Sequence, residues 1–276
     1  MSAWVTPPLF PATVALYGVA CALFFAHLYA PGGGERKDAG LGVMRAARVA
    51  LGLAFVSHAI DIGWLCTKGL HPVVNAKEAV SFASWLVCGV YLAVATRDRV
   101  APLGVVLVPV TLVLELAARL GPTPEAHYAA SVLAIVHITL ASLGTALFAV
   151  AAGGAIFYLV EERGLKRHRT GRMLRRGPAL ETLDRLNRRC IAVGFACFTA
   201  ALVTGAAWFL QMPRGPGLWS PQYVLASIAW LLYAGLIMAR LLVGLRGRRA
   251  AVLTVAGAAT ALAVLAVYFI RDVGGA

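Results

Sequence analysis

Charge is what this 276-residue chain has least of: Asp, Glu, Lys and Arg make up 13% of it, where a soluble domain carries about 25%. With 60% hydrophobic residues and a mean hydropathy of +0.79, that shortage excludes an ordinary water-soluble domain. The five cysteines (Cys21, Cys66, Cys88, Cys190 and Cys197) include no Cys-x-x-Cys pair, which argues against a thiol-disulfide carrier or a disulfide framework. All lie in or at the ends of apolar runs, where a thiol packs as a small apolar group. The runs show no period-2 alternation, so barrel strands are excluded and lipid leaves only helices. No fixed-period repeat and no Pro/Ser-rich linker divides the chain, and residues 1–276 read as one domain. No Lys or Arg precedes Arg36, so the first apolar run lacks the charged lead of a cleavable signal and reads as a retained span. Inverted repeats with paired broken spans are also missing, which weighs against a secondary transporter.

What remains is an all-α, polytopic bundle of about eight transmembrane helices, with runs near 9–30, 43–66, 79–96, 101–119, 128–160, 190–211, 221–243 and 250–270. The net charge of +13 sits between the runs. Allotted to the nearer run ends, 20 of the 25 Lys and Arg residues fall on one side and 5 on the other. The positive-inside rule then puts the basic loop 161–189 in the cytoplasm and both termini outside, as in a multi-pass protein of the cell inner membrane. That distribution explains the charge without nucleic acid and allows the loop to attract anionic lipid. The fifth run, Tyr128 to Val160, is roughly 50 Å of helix against about 30 Å of hydrocarbon, so it should tilt or project.

An ionisable residue inside a span costs about 2.5 to 3.5 kcal/mol at the centre, so each needs a partner or a task. The candidates are His27, His58, Asp61, Glu115 and His137. Glu115 and Arg119, spaced i,i+4 near the outer end of the fourth run, read as a structural pair. His58 in "FVSHAIDIGW" and His137 in "LAIVHITLASLG" sit among apolar neighbours. An embedded neutral imidazole suits heme iron, and it equally suits hydrogen bonding between helices. Asp61, three residues on from His58, is placed to fix its tautomer. His71 and His127 fall in outer loops and His168 in the basic loop, where solvation is the default. Trp64, Trp85, Trp208, Trp219 and Trp230 flank outer loops, as an interfacial aromatic belt does, and are compatible with a heme wall.

Three stretches resemble the cytochrome c assembly family of heme-handling membrane proteins, CcsA-like and HemX-like. The first is "FVSHAIDIGWLCTKGLHPVVNAKEAVSFASWLVCGVYL", with an intramembrane His followed by Pro72, Asn75, Glu78, Phe82 and Trp85. The second comprises "HITLASLGTALFAVAAGGAIFYLVEERGLKRH" and "ALETLDRLNRRCIAVGFACFTAALVTGAAW". The third is "WSPQYVLASIAWLLYAGLIMARLLVGLRGRRAAVL", and together they cover roughly residues 50 to 265. The departures are specific. The family's tryptophan-rich loop ends W-S-W-D-P-K-E, whereas here Trp219-Ser220 runs into Pro221-Gln222-Tyr223; the family's L-H-A-R becomes Ile237-Met238-Ala239-Arg240; and the tail lacks an outer His.

The resemblance implies His137 as the outer heme ligand and His58 as the intramembrane one, with Trp219 left from the presenting loop and Met238 where a second His is expected. A thioether could pair with His58 at iron, although their depths in the membrane differ by roughly 15 Å. The function implied is transient heme handling in cytochrome c maturation with other membrane subunits, without catalysis by this chain. The alternative is a HemX-like scaffold or regulator of tetrapyrrole biosynthesis that has lost heme and acts through the basic loop.

Overall fold

The computed structural model describes residues 6–29, 36–97, 100–120, 131–166, 178–211 and 219–274. Eight helices make up the described chain, and no strand occurs among the described residues: α1 (Phe10–Tyr29), α2 (Arg36–Thr67), α3 (Ala76–Arg97), α4 (Gly104–Leu120), α5 (Val132–Lys166), α6 (Leu180–Phe209), α7 (Pro221–Leu242) and α8 (Gly247–Gly274). Each contains a stretch long and apolar enough to cross a membrane. On α2, Val49, Leu53, Val56 and Ile60 are all exposed at helical spacing. In water such a stripe would be a liability, and in a bilayer it is the lipid-facing side.

α5 is the axis of the bundle. It packs against α6 most extensively and also against α8 and α3, while α1 to α4 form a second group in which α1 lies on α2 and α4, and α3 on α4. Small residues let the axis in. A Cβ on Gly144 would stand 3.2 Å from the Gly194 carbonyl oxygen of α6, and one on Gly194 would stand 2.9 Å from the Phe148 ring. The backbones therefore approach as closely as small-residue interfaces in membranes allow. Phe148 fills the centre, stacked on Tyr233 of α7 with centroids 3.6 Å apart and edge-on to Phe198 of α6.

The ends of helices follow local chemistry. Asn75 caps α3 by accepting the Glu78 backbone N–H at 3.0 Å, the usual arrangement between an N-cap side chain and the third helical residue. A 3₁₀ turn at Ala101–Leu103, with Pro102 in its first positions, leads into α4. At the far end of the bundle α5 runs to Lys166 and α6 starts at Leu180, so most of segment 161–189 outside residues 167–177 is helical; residues 167–177, including His168, lie outside the described residues.

Candidate functional site

Polar residues gather at two places toward the helix ends that lie opposite the 161–189 segment. The first is a closed hub joining α1 to α4. His58 is fully buried, and both of its ring nitrogens are engaged: Nδ1 with the Tyr17 hydroxyl of α1 at 3.2 Å, Nε2 with Glu115 Oε2 of α4 and Ser81 Oγ of α3, each at 3.0 Å. A carboxylate only accepts, so Nε2 carries the proton and the Tyr17 hydroxyl donates to Nδ1. Ser81 donates to Glu115 Oε2 at 2.7 Å, and Arg119 donates to Glu115 at 3.2 Å, to Glu78 at 2.9 Å and to Ser81 at 2.9 Å. The expected Glu115–Arg119 pair is present, but as one edge of a network that also takes in Glu78 and His58.

Asp61 does a different job from the one its spacing suggests. Its carboxylate accepts the Leu9 backbone N–H at 2.9 Å and the Thr13 hydroxyl at 3.0 Å, and Thr13 also bonds Ser57 at 2.7 Å. It holds the start of α1, where a carboxylate complements the helix dipole, and the tautomer of His58 is fixed instead by Tyr17, Ser81 and Glu115. His27 bonds the Gly40 carbonyl through Nδ1 at 2.9 Å and ties the C-terminal end of α1 to the start of α2.

The second place is His137, in the second turn of α5. Its Nδ1 donates to the Ala201 carbonyl of α6 at 2.8 Å, and its ring lies 5.8 Å from that of Trp208. The ring can lie flat on α6 because residue 205 is glycine: a Cβ there would come within 2.6 Å of Cε1. With the proton committed to Nδ1, the Nε2 lone pair is left without a partner among the described residues. Next in sequence, Ile138 belongs to a small apolar cluster with Val73, Ala79, Trp208 and Tyr268.

These geometries test the fit of heme residue by residue. His137 fits as a ligand, because a ligating imidazole ordinarily has its other nitrogen donating to a carbonyl or carboxylate and because apolar and aromatic walls adjoin it. His58 offers iron no free nitrogen. The structure also separates His58 from Met238: α2 packs on α1 and α3, α7 on α8 and α6, and Met238 is 48% exposed on the outside of α7. Trp219 is 90% exposed just before α7, and residues 212–218 of its loop, like His127, lie outside the described residues. Thr13, Tyr17, Ser57 and Ser81 were not singled out from the sequence, where single hydroxyls in apolar runs resemble ordinary helix-packing polar residues; only the lining up of four helices reveals their roles.

Comparison with known proteins gives the geometry its context. Residues 73–274 match the model of the cytochrome C assembly protein family. The chain is 25% identical over 252 residues to a cytochrome c biogenesis protein CcsA of Crocosphaera subtropica, covering 70% of this chain and 75% of that one. It is 26% identical over 231 residues to the CcsA of Thermosynechococcus vestitus, covering 68% and 72%, and 40% identical over a shorter stretch of 90 residues to that of Synechococcus sp. strain CC9605, covering 33% and 28%. A multi-pass helical membrane protein matched over most of its length, this chain belongs to the cytochrome c assembly protein family.

Proposed function

We propose that this protein handles heme as cargo in cytochrome c maturation, holding it weakly at the outer face of the inner membrane for other membrane subunits of the maturation system. The observation that carries the reading is His137: a histidine near the outer end of α5 whose tautomer is set by the Ala201 carbonyl and whose Nε2 has no partner among the described residues. Family membership supplies heme as the ligand to consider. One strong protein ligand makes the site exchangeable, which suits a carrier. Trp208 walls it, and Gly205 leaves the ring its room.

The chain itself makes no bond to the cytochrome in this reading and is not an enzyme. The His58 hub serves the carrier as a rigid support, fixing α1 to α4 through a buried network rather than taking up a second heme. In this reading both termini face the periplasm, an orientation that the distribution of Lys and Arg supports. In a host lacking the gene, c-type cytochromes should lose covalently attached heme; the intact gene should restore it and the His137→Ala form should not. Coexpression with apocytochrome alone in a maturation-deficient bacterium should yield no attachment, because partner subunits are missing. Full rescue by His137→Ala, with tetrapyrrole enzyme levels changed on deletion, would instead favour the HemX-like regulator.

A further inference from the structure

The inner ends of α5 to α8 enclose a third polar site, remote from His58 and His137. Arg240 of α7 reaches across to α6, donating to Asn187 Oδ1 at 2.6 Å and lying 3.5 Å from Asp184 Oδ1. Its side chain is nine-tenths buried, with 10% exposure, yet its Nε is enclosed and has no hydrogen-bond partner among the described residues. A buried guanidinium N–H without an acceptor is costly, so Arg240 Nε is a donor suited to an acceptor from outside the chain. Arg240, Asp184, Asn187 and Tyr158 line a narrow cavity of about 10 Å³, room for one oxygen atom, and Gly247 at the N-terminus of α8 forms its edge. Asn187 is otherwise satisfied, through the Ala151 carbonyl and Thr254.

The surroundings of the cavity combine positive charge with exposed apolar side chains. The sharp α7–α8 turn is made by Gly244 and Gly247 at φ 64° and 69°, a conformation that disfavours other residues. It presents Arg246, Arg248 and Arg249 exposed beside the first backbone N–H groups of α8, and a helix N-terminus attracts anions. Immediately before the turn, Leu241, Leu242 and Val243 are 72%, 79% and 81% exposed. An arginine rim above a bare apolar flank suits a phosphate attached to acyl chains; a free phosphate would have no use for the flank.

We propose that this hairpin is a binding site for an anionic phospholipid of the inner leaflet. One phosphate oxygen accepts from Arg240 Nε, and the headgroup is held by the arginines of the turn. Zwitterionic lipid is disfavoured, because its headgroup cation would face those arginines. The full-length protein in a neutral detergent is titrated with dioleoylphosphatidylglycerol, dioleoylphosphatidylcholine or inorganic phosphate, and thermal unfolding is followed by tryptophan fluorescence. Phosphatidylglycerol should raise the midpoint saturably, and the other two should not at equal concentration. Arg240→Lys keeps the charge but has no Nε–H, and should need about ten-fold more lipid for the same shift; Arg248→Gln with Arg249→Gln, both exposed and so harmless to folding, should weaken the response independently. Equal shifts with phosphatidylcholine or with inorganic phosphate would overturn the lipid assignment. So would no shift with any of the three, leaving a water in the cavity, or an unchanged phosphatidylglycerol response in the turn variant.

Discussion

Replacing Arg119 with Met should be among the most damaging single substitutions in the chain, and its cost follows from the geometry. The side chain is 4% exposed and donates to Glu78, Glu115 and Ser81 at 2.9 to 3.2 Å. Removing one partner of a buried ion pair costs about 3–5 kcal/mol, because a charge is left without compensation where water cannot reach it. Glu115 retains His58 and Ser81 as donors, whereas Glu78 loses its guanidinium. We therefore expect the full range for Arg119→Met in detergent unfolding monitored by tryptophan fluorescence. The triple replacement Arg119→Met, Glu115→Leu, Glu78→Leu should recover at least half of the loss, since His58 Nε2 still has Ser81 to donate to and no charge is stranded. Arg185→Ala is the control: its pair with Glu181 is exposed (49% and 85%) and is worth about 0.3–0.5 kcal/mol. If Arg119→Met cost no more than this control, the hub would be a wet surface cluster and the argument for its rigidity would fail.

Three further outcomes follow. Gly205→Val should push the His137 ring off the Ala201 carbonyl, because a Cβ there meets Cε1 at 2.6 Å; heme affinity measured by absorbance titration should fall as far as it does for His137→Ala. Phe148→Ala should cost about 3–5 kcal/mol in the same unfolding assay, since it empties the fully buried contact between Tyr233 and Phe198. Met238→Leu should leave both the heme spectrum and the unfolding midpoint unchanged within about 0.5 kcal/mol, because the side chain is half exposed on the outside of α7.

The spans were legible because lipid simplifies the problem: where each backbone group must be satisfied within its own segment, hydropathy alone locates the helices. The long fifth run near 128–160 emerged as α5, Val132–Lys166, and the i,i+4 spacing of Glu115 and Arg119 correctly announced a pair. Sequence spacing failed where the partner lay on another helix. Asp61 and His58 share a face of α2, yet Asp61 turns to Leu9 and His58 to Tyr17, Ser81 and Glu115. No rule of helical periodicity brings Tyr17 to His58, 41 residues away. The same holds for Arg240 and Asn187: one reads as the end of a span, the other as part of a basic loop, and only the packing of α6 and α7 joins them. In sequence both family-position histidines read as apolar-flanked candidate ligands, His137 outer and His58 deeper, and the structure shows that they differ in what their second nitrogen touches.

That difference is best tested with hemin added to the gently solubilised protein. The account predicts a Soret band at substoichiometric occupancy, mostly abolished by His137→Ala and largely retained in His58→Ala. A band that persists in His137→Ala, or one that vanishes in His58→Ala while that variant remains folded, would contradict it.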